Sequence, residues 1–137
     1  MDISAEAQTI IGIMLITIPT IEFGGAFLLS RLRRQQGYGE SGVQGHYFRA
    51  GHAHAGVLLI LAIIAQVLVD LTSFASGIAY AVRAGFFLAP ILFPIGYFLG
   101  APGADGNPKP LLNAVYLGGI LLGLSSLALG VGLITNL

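Results

Sequence analysis

Four stretches of this chain are long and apolar enough to cross a bilayer, and little sequence is left between them. They run from about Gln8 to Ser30, Phe48 to Val69, Ser76 to Leu99 and Leu111 to Ile134. A helix needs about 20 mostly apolar residues to cross the hydrocarbon, and each stretch meets that length. Only 9% of the residues are charged, against about 25% in soluble domains, so the chain cannot coat a water-facing surface. The expected fold is all-α: an integral membrane four-helix bundle in up-down order, one four-span domain over residues 1–137, with the lipid bilayer as its solvent. Six acidic residues balance six basic ones, which leaves no electrostatic footprint for nucleic acid. The chain has no cysteine, which excludes disulfides, thiolate metal sites and a cysteine nucleophile.

Lysine and arginine set the expected direction. The connection after the first span carries Arg31, Arg33, Arg34 and Arg49, and the third connection carries Lys109. Positive residues stay on the cytoplasmic side, so loops 31–47 and 100–110 are expected inside and both termini outside. This describes a multi-pass protein of a plasma membrane of the bacterial inner-membrane kind. The leader "MDISAEAQ" holds Asp2 and Glu6 and no basic residue, unlike a signal peptide, so the first span is expected to stay as a span. Pro110 suits the first position of the last helix. Gly119, Gly123, Ser126 and Gly130 line up as a small-residue face, of the kind that lets membrane helices pack closely, and packing within the chain is expected there.

The second span opens on "HYFRAGHAHAG", which holds all three histidines, His46, His52 and His54. His46 is expected in the connection, solvated or interfacial. On a helix, His52, Gly56, Leu59, Ile63, Gln66 and Asp70 form one stripe, at alternating steps of four and three. A membrane helix turns such a stripe toward protein. His54 lies roughly 200° around from His52, so the two rings are expected to serve different neighbours. Asp70 is expected to pair with Arg83 near the start of the third span, as a clasp between helices.

Glu22 sits well inside the first apolar run, "LITIPTIEFGGAFLLS", roughly 13 Å from Arg31 at the helical rise. An acid at such depth costs about 2.5–3.5 kcal/mol and seeks a proton or a cation. The histidines lie at comparable depth on the antiparallel neighbour, and Asn113, Tyr116 and Tyr97 approach from the same side. The expected centre is therefore a metal site of Glu22, His52 and His54, with His52, His54, Tyr116 and Asn113 as cofactor-binding residues. Pro19 frees a carbonyl in the first helix, Thr17 and Thr20 offer hydroxyls to repair the ladder, and Gly24 with Gly25 lets a neighbour come close.

Histidine binds divalent metals and haem iron and also titrates near neutrality. "HAHAGVLLIL" resembles the His-x-His element that opens one helix in the catalytic subunits of haem–copper oxidases and nitric oxide reductases. That resemblance implies His52 or His54 as an iron ligand and haem as cofactor. The order of first span, arginine cluster and "YFRAGHAHAG" resembles the four-span membrane-associated proteins of eicosanoid and glutathione metabolism, which are trimers. That resemblance implies a small membrane transferase with Arg31 and Arg49 holding an anion, although Gly56 stands where that family has asparagine. The leading expectation is a small membrane protein, a homo-oligomer or a subunit of a membrane complex, with an intramembrane site for haem or a divalent metal ion. The others are a proton- or cation-conducting oligomer, the transferase, and a non-catalytic accessory subunit. No phosphate loop, Ser–His–Asp set or His-Glu-x-x-His motif occurs, and "GYGESG" at 37–42 reads as a turn.

Overall fold

A computed structural model describes residues 2–33, 42–103 and 106–136. Among these residues the chain is helical, with no strand. Helix α1 is Ala5–Arg33, α2 is Val43–Val69, α3 is Ser76–Leu99 and α4 is Asn113–Thr135. A single turn of 3-10 helix, Pro110–Leu112, leads into α4 with its proline at the start. All four α-helices are long and apolar enough to cross a membrane. Helix α3 has the limits of its apolar run. Helices α1 and α2 outgrow theirs, because hydrogen bonding continues through polar flanks that good helix formers such as Arg and Gln supply. One consequence is that His46 lies in the first turns of α2 rather than in a connection. Of the turn expected at 37–42, residues 37–41 lie outside the described residues, and Gly42 has a left-handed φ of 64° just before α2.

Contacts at the ends fix the up-down order. The start of α1, the end of α2, the start of α3 and the end of α4 meet at one end of the bundle, where Ser4 bonds Asp70 and Asn136 bonds both Leu71 and Ser73. Arg31, Phe48 and Phe98 mark the other end. Helix α3 packs extensively on both α2 and α4, whereas α1 leans mainly on α2. The central core joins Met14 of α1, Leu59, Ala62 and Ala65 of α2, Val82 and Phe86 of α3 and Leu129 of α4.

The small residues of α4 pack one position away from where the sequence put them. Gly118, Ser125 and Gly132 are buried, whereas Gly119, Gly123 and Ser126 face outward. The reason lies across the interface. A Cβ on Gly118 would come within 2.9 Å of the Phe93 ring, while Gly123 has nothing within 4 Å. Two glycines of α3 complete the fit. A Cβ on Gly85 would meet the Leu121 carbonyl at 3.0 Å, and one on Gly96 would meet the Val115 nitrogen at 2.9 Å. Helices α3 and α4 are therefore in backbone contact, the close approach that small residues permit between membrane helices.

The clasp expected from sequence is present and larger than expected. Arg83 is 6% exposed. Its Nη2 donates to Asp70 Oδ1 at 2.5 Å, and its Nη1 donates to the Gln66 backbone carbonyl at 2.6 Å. The other oxygen of Asp70 accepts the Ser4 backbone N–H at 2.9 Å. The Ser4 hydroxyl accepts from the Ala7 backbone N–H at 3.2 Å, capping α1, and from Arg83 at 3.3 Å. Gln66, fully buried, donates to the Ala62 and Arg83 carbonyls. One ion pair thus ties the first residues of α1 to the α2–α3 hairpin.

Removing either charge alone leaves the other buried without its partner, a loss of about 3–5 kcal/mol. Asp70→Asn and Arg83→Met should each lower the unfolding temperature in detergent markedly, and the double variant should lie closer to wild type than either. A double-mutant cycle by thermal unfolding checks this. Burial pushes the Asp70 carboxyl up, but hydrogen bonds from the Ser4 backbone and hydroxyl, followed by Arg83, outweigh it and hold the group below its ordinary value of 3.8. A depressed carboxyl contributes stability that is complete above the ordinary value and is lost as pH falls through the lower folded value. Unfolding temperature should therefore stay level, as far as Asp70 is concerned, down to about pH 4 and drop below it. The drop should be absent in Asp70→Asn.

Candidate functional site

The three histidines of α2 meet three different fates. His46 is exposed, and its Nδ1 accepts a hydrogen bond from Arg49 Nη2 at 2.9 Å. His54 turns toward α3. Its ring stacks on Phe93 with centroids 5.1 Å apart and lies 5.3 Å from the Tyr97 ring. Its Nδ1 bonds the Ala50 carbonyl at 2.7 Å, and since a carbonyl can only accept, Nδ1 carries the proton. His52 turns the other way, toward α1. A Cβ on Gly25 would lie 3.2 Å from the His52 Cε1 and Nε2 atoms, and one on Gly24 would lie 3.5 Å from its Nδ1. The ring is half-buried, and no hydrogen bond to it occurs among the described residues. His52 is the one imidazole whose two nitrogens are both left for something else.

That ring lies in the wall of an elongated cleft of about 500 Å³ between α1 and α3, with α2 as its floor. Helix α1 supplies Met14, Thr17, Thr20, Gly24 and Phe27. Helix α2 supplies His52, Ala55 and Leu59, and α3 supplies Phe87, Pro90, Ile91, Pro94 and Phe98. The cleft is open to the outside of the bundle, since the lining residues Phe23 and Ile91 are 75% and 41% exposed. Its volume falls in the range of about 300–1,000 Å³ typical of small-molecule sites. The two threonine hydroxyls are already spoken for, Thr17 donating to the Met14 carbonyl and Thr20 to the Thr17 carbonyl, each at 2.7 Å. Neither reaches the Leu15 carbonyl that Pro19 leaves without its helical N–H, so the repair expected of these hydroxyls is not made. Pro90 and Pro94 each withdraw an N–H from the carbonyl four residues earlier. His52 is therefore the one lining side chain with uncommitted polar atoms.

The polar centre read from sequence does not assemble within one chain. Glu22 is exposed and bonds neither ring. Among the described residues no group of three or more His, Cys, Asp or Glu side chains converges on a common point. The cause is the rotation of α1. Its buried line is Ala7, Met14 and Leu28 and its cleft face carries Thr17, Thr20, Gly24 and Phe27, so Glu22, roughly 160° around the helix from Gly24 and about 60° from Gly25, lies on neither. Asn113 and Tyr116 lie in the first turn of α4, both exposed, Tyr116 to 66%. Helix α4 contributes nothing to the cleft, so neither joins His52 there. His54 stays on the far side of α2, as its angle to His52 requires.

Sequence reading missed the closed end of the cleft. Phe27 and Phe98, both lining residues, meet Phe48 with ring centroids 5.9 Å and 5.3 Å from it, the second pair stacked. The Arg31 guanidinium lies over two of these rings, 5.5 Å from the Phe27 centroid and 5.7 Å from that of Phe48. The available signal was the spacing of Gly24, Phe27 and Arg31 at steps of three and four, which puts them on one face.

Because Gly25 is what lets the His52 ring lie against α1, Gly25→Val should displace the ring into the cleft. Binding of any hydrophobic probe that contacts His52 should weaken at least tenfold, whereas Glu22→Gln, on the other flank, should change it less than twofold. Titration of the purified variants with a fluorescent hydrophobic probe checks both. No protein-family model, curated protein or solved structure matches the chain.

Proposed function

We propose that the chain is a membrane-embedded binding protein that admits a hydrophobic ligand sideways from the bilayer into the α1–α3 cleft and holds a polar atom of that ligand at His52. In this reading the four helices span the membrane with the Arg31 end at the cytoplasmic face, as the placement of basic residues favours. The observation that carries it is the His52 ring, uncommitted at both nitrogens in a cleft otherwise lined by apolar or already bonded groups. An imidazole with no partner against an apolar wall is unfavourable in a medium without water, and a ligand atom would satisfy it.

Haem is one form of such a ligand, because a single imidazole suffices to hold its iron. A bare divalent ion is not favoured, since the cleft offers one free donor where such ions take several. Conduction along α2 is not favoured either. Between His52 and the fully buried Gln66 the inward stripe is Gly56, Leu59 and Ile63, which carries no proton relay. We assign the oligomer or complex partner to the Glu22 flank of α1, because an ionisable side chain at that depth ordinarily faces protein.

The test is to identify what the purified protein carries. Organic extraction with mass spectrometry, together with an absorption spectrum, should find a hydrophobic species at near one per chain. A Soret band would name haem, and a colourless lipid or isoprenoid would fit equally. His52→Ala should lose most of that species and His54→Ala should retain it. Equal retention by both variants, or no species above background, defeats the reading.

A further inference from the structure

We infer that the cleft takes an anionic glycerophospholipid from the Arg31-end leaflet, its phosphate at Arg31, its first ester carbonyl at His52 and one acyl chain along the groove toward Met14. This rests on the proposed binding role of the cleft and names the ligand class.

The shape comes first. The lining runs from Phe27 to Met14 on α1 and from Phe98 to Phe87 on α3, roughly 20 Å and 16 Å at the helical rise. The groove is long and lies parallel to the helices, which suits an extended chain better than a flat disc. Its walls over that length are apolar once the threonine hydroxyls are turned back to their own backbone.

The charge comes second. Thr17, Thr20, Gly24, Phe27 and Arg31 follow one another at steps of three and four, so Arg31 continues the face of α1 that lines the cleft. Its guanidinium lies back over Phe27 at the cleft's end. The Nε atom is buried, and among the described residues it has no hydrogen-bond partner and no carboxylate pairs with Arg31. A guanidinium offers several N–H donors in a fork that matches phosphate oxygens. Basic pockets between helices on the cytoplasmic side are where lipid phosphates bind. Among the described residues the other basic groups of that end, Arg33, Arg49 and Lys109, are exposed and add to its positive field.

The spacing comes third. The guanidinium lies at the level of Phe27 and the His52 ring at the level of Gly24 and Gly25, roughly 3–5 Å deeper along the axis. In a glycerophospholipid the ester carbonyls lie just below the phosphate, so one molecule presents an oxyanion to Arg31 and a neutral acceptor to a His52 N–H.

The experiment compares phosphatidylglycerol with diacylglycerol of identical chains, by native mass spectrometry of the full chain in detergent. The two probes share tails and esters and differ in the phosphate head. The wild type should bind phosphatidylglycerol at least tenfold tighter. Arg31→Gln should abolish that preference while leaving diacylglycerol binding within twofold, and Arg31→Lys should keep part of it. His52→Ala should weaken both lipids alike. Equal binding of the two lipids by wild type overturns the Arg31 assignment and leaves the cleft reading standing, and this comparison needs no variant to fold. Loss of both lipids equally in Arg31→Gln also overturns it, since Arg31 would then only shape the cleft. Binding of neither lipid to wild type defeats this inference, and failure of the cleft reading is then judged separately by the species that co-purifies.

Discussion

An arginine enclosed by apolar helices is the constraint from which the arrangement follows. Arg83 is nearly buried near the start of α3, and a charge in that position is tolerated only when it is paired and its remaining protons are bonded. Asp70 takes one arm of the guanidinium and the Gln66 carbonyl takes the other. The Asp70 oxygen left over faces the start of α1 and accepts the Ser4 N–H. One charge requirement in the α2–α3 hairpin therefore also decides where α1 begins and how it is capped.

That attachment explains why the cleft is where it is. Helix α3 packs along its length on both α2 and α4, with glycines bringing the α3 and α4 backbones together. Helix α1 has no such match to α3. It is fastened by the Ser4 network at one end and by Phe27 and Leu28 against Phe48 at the other, with Met14 in the core between them. Between these points the flank of α1 stands away from the proline-bearing stretch of α3. Pro90 and Pro94 present ring carbons in place of N–H groups there, which keeps that wall apolar. The cleft is thus a gap between the closely packed α2–α3–α4 unit and a helix secured at intervals.

Much of the fold was legible because its signals are local. Apolar runs of membrane-crossing length locate the helices, and the limits of α3 coincide with its run. The Asp70–Arg83 pair was legible because both residues flank one short turn, so topology alone brings them close. The opposite aims of His52 and His54 followed from helical angle. Glu22 was not legible in the same way. Its depth could be counted from the chain, but its direction depends on the rotation of α1, which Ala7, Met14 and Leu28 settle through contacts with other helices. The small-residue face of α4 missed by one position for the same reason, since Phe93 selects Gly118 over Gly119. Arg31 counted in sequence as a marker of orientation. Its place over Phe27 follows a step of four along α1, but its place over Phe48 depends on how α1 packs against α2, which the spacing alone does not give.

The distribution of unmet polar groups is the strongest physical argument for a ligand. Elsewhere the chain is thorough. Gln66 and Arg83 are bonded in the core, Thr17 and Thr20 return to their own backbone, and Asn136 and Ser73 close the turn between α2 and α3. Among the described residues the one buried side-chain polar atom without a partner is Arg31 Nε, and the one histidine without a partner is His52. Random imperfections of packing would scatter over the bundle. These two lie close together, His52 in the wall of the groove and Arg31 over Phe27 at its end, at adjacent levels. In an apolar medium such donors would have no water to fall back on, and the ligand proposed above, with acceptors at one end and hydrocarbon at the other, would complete them.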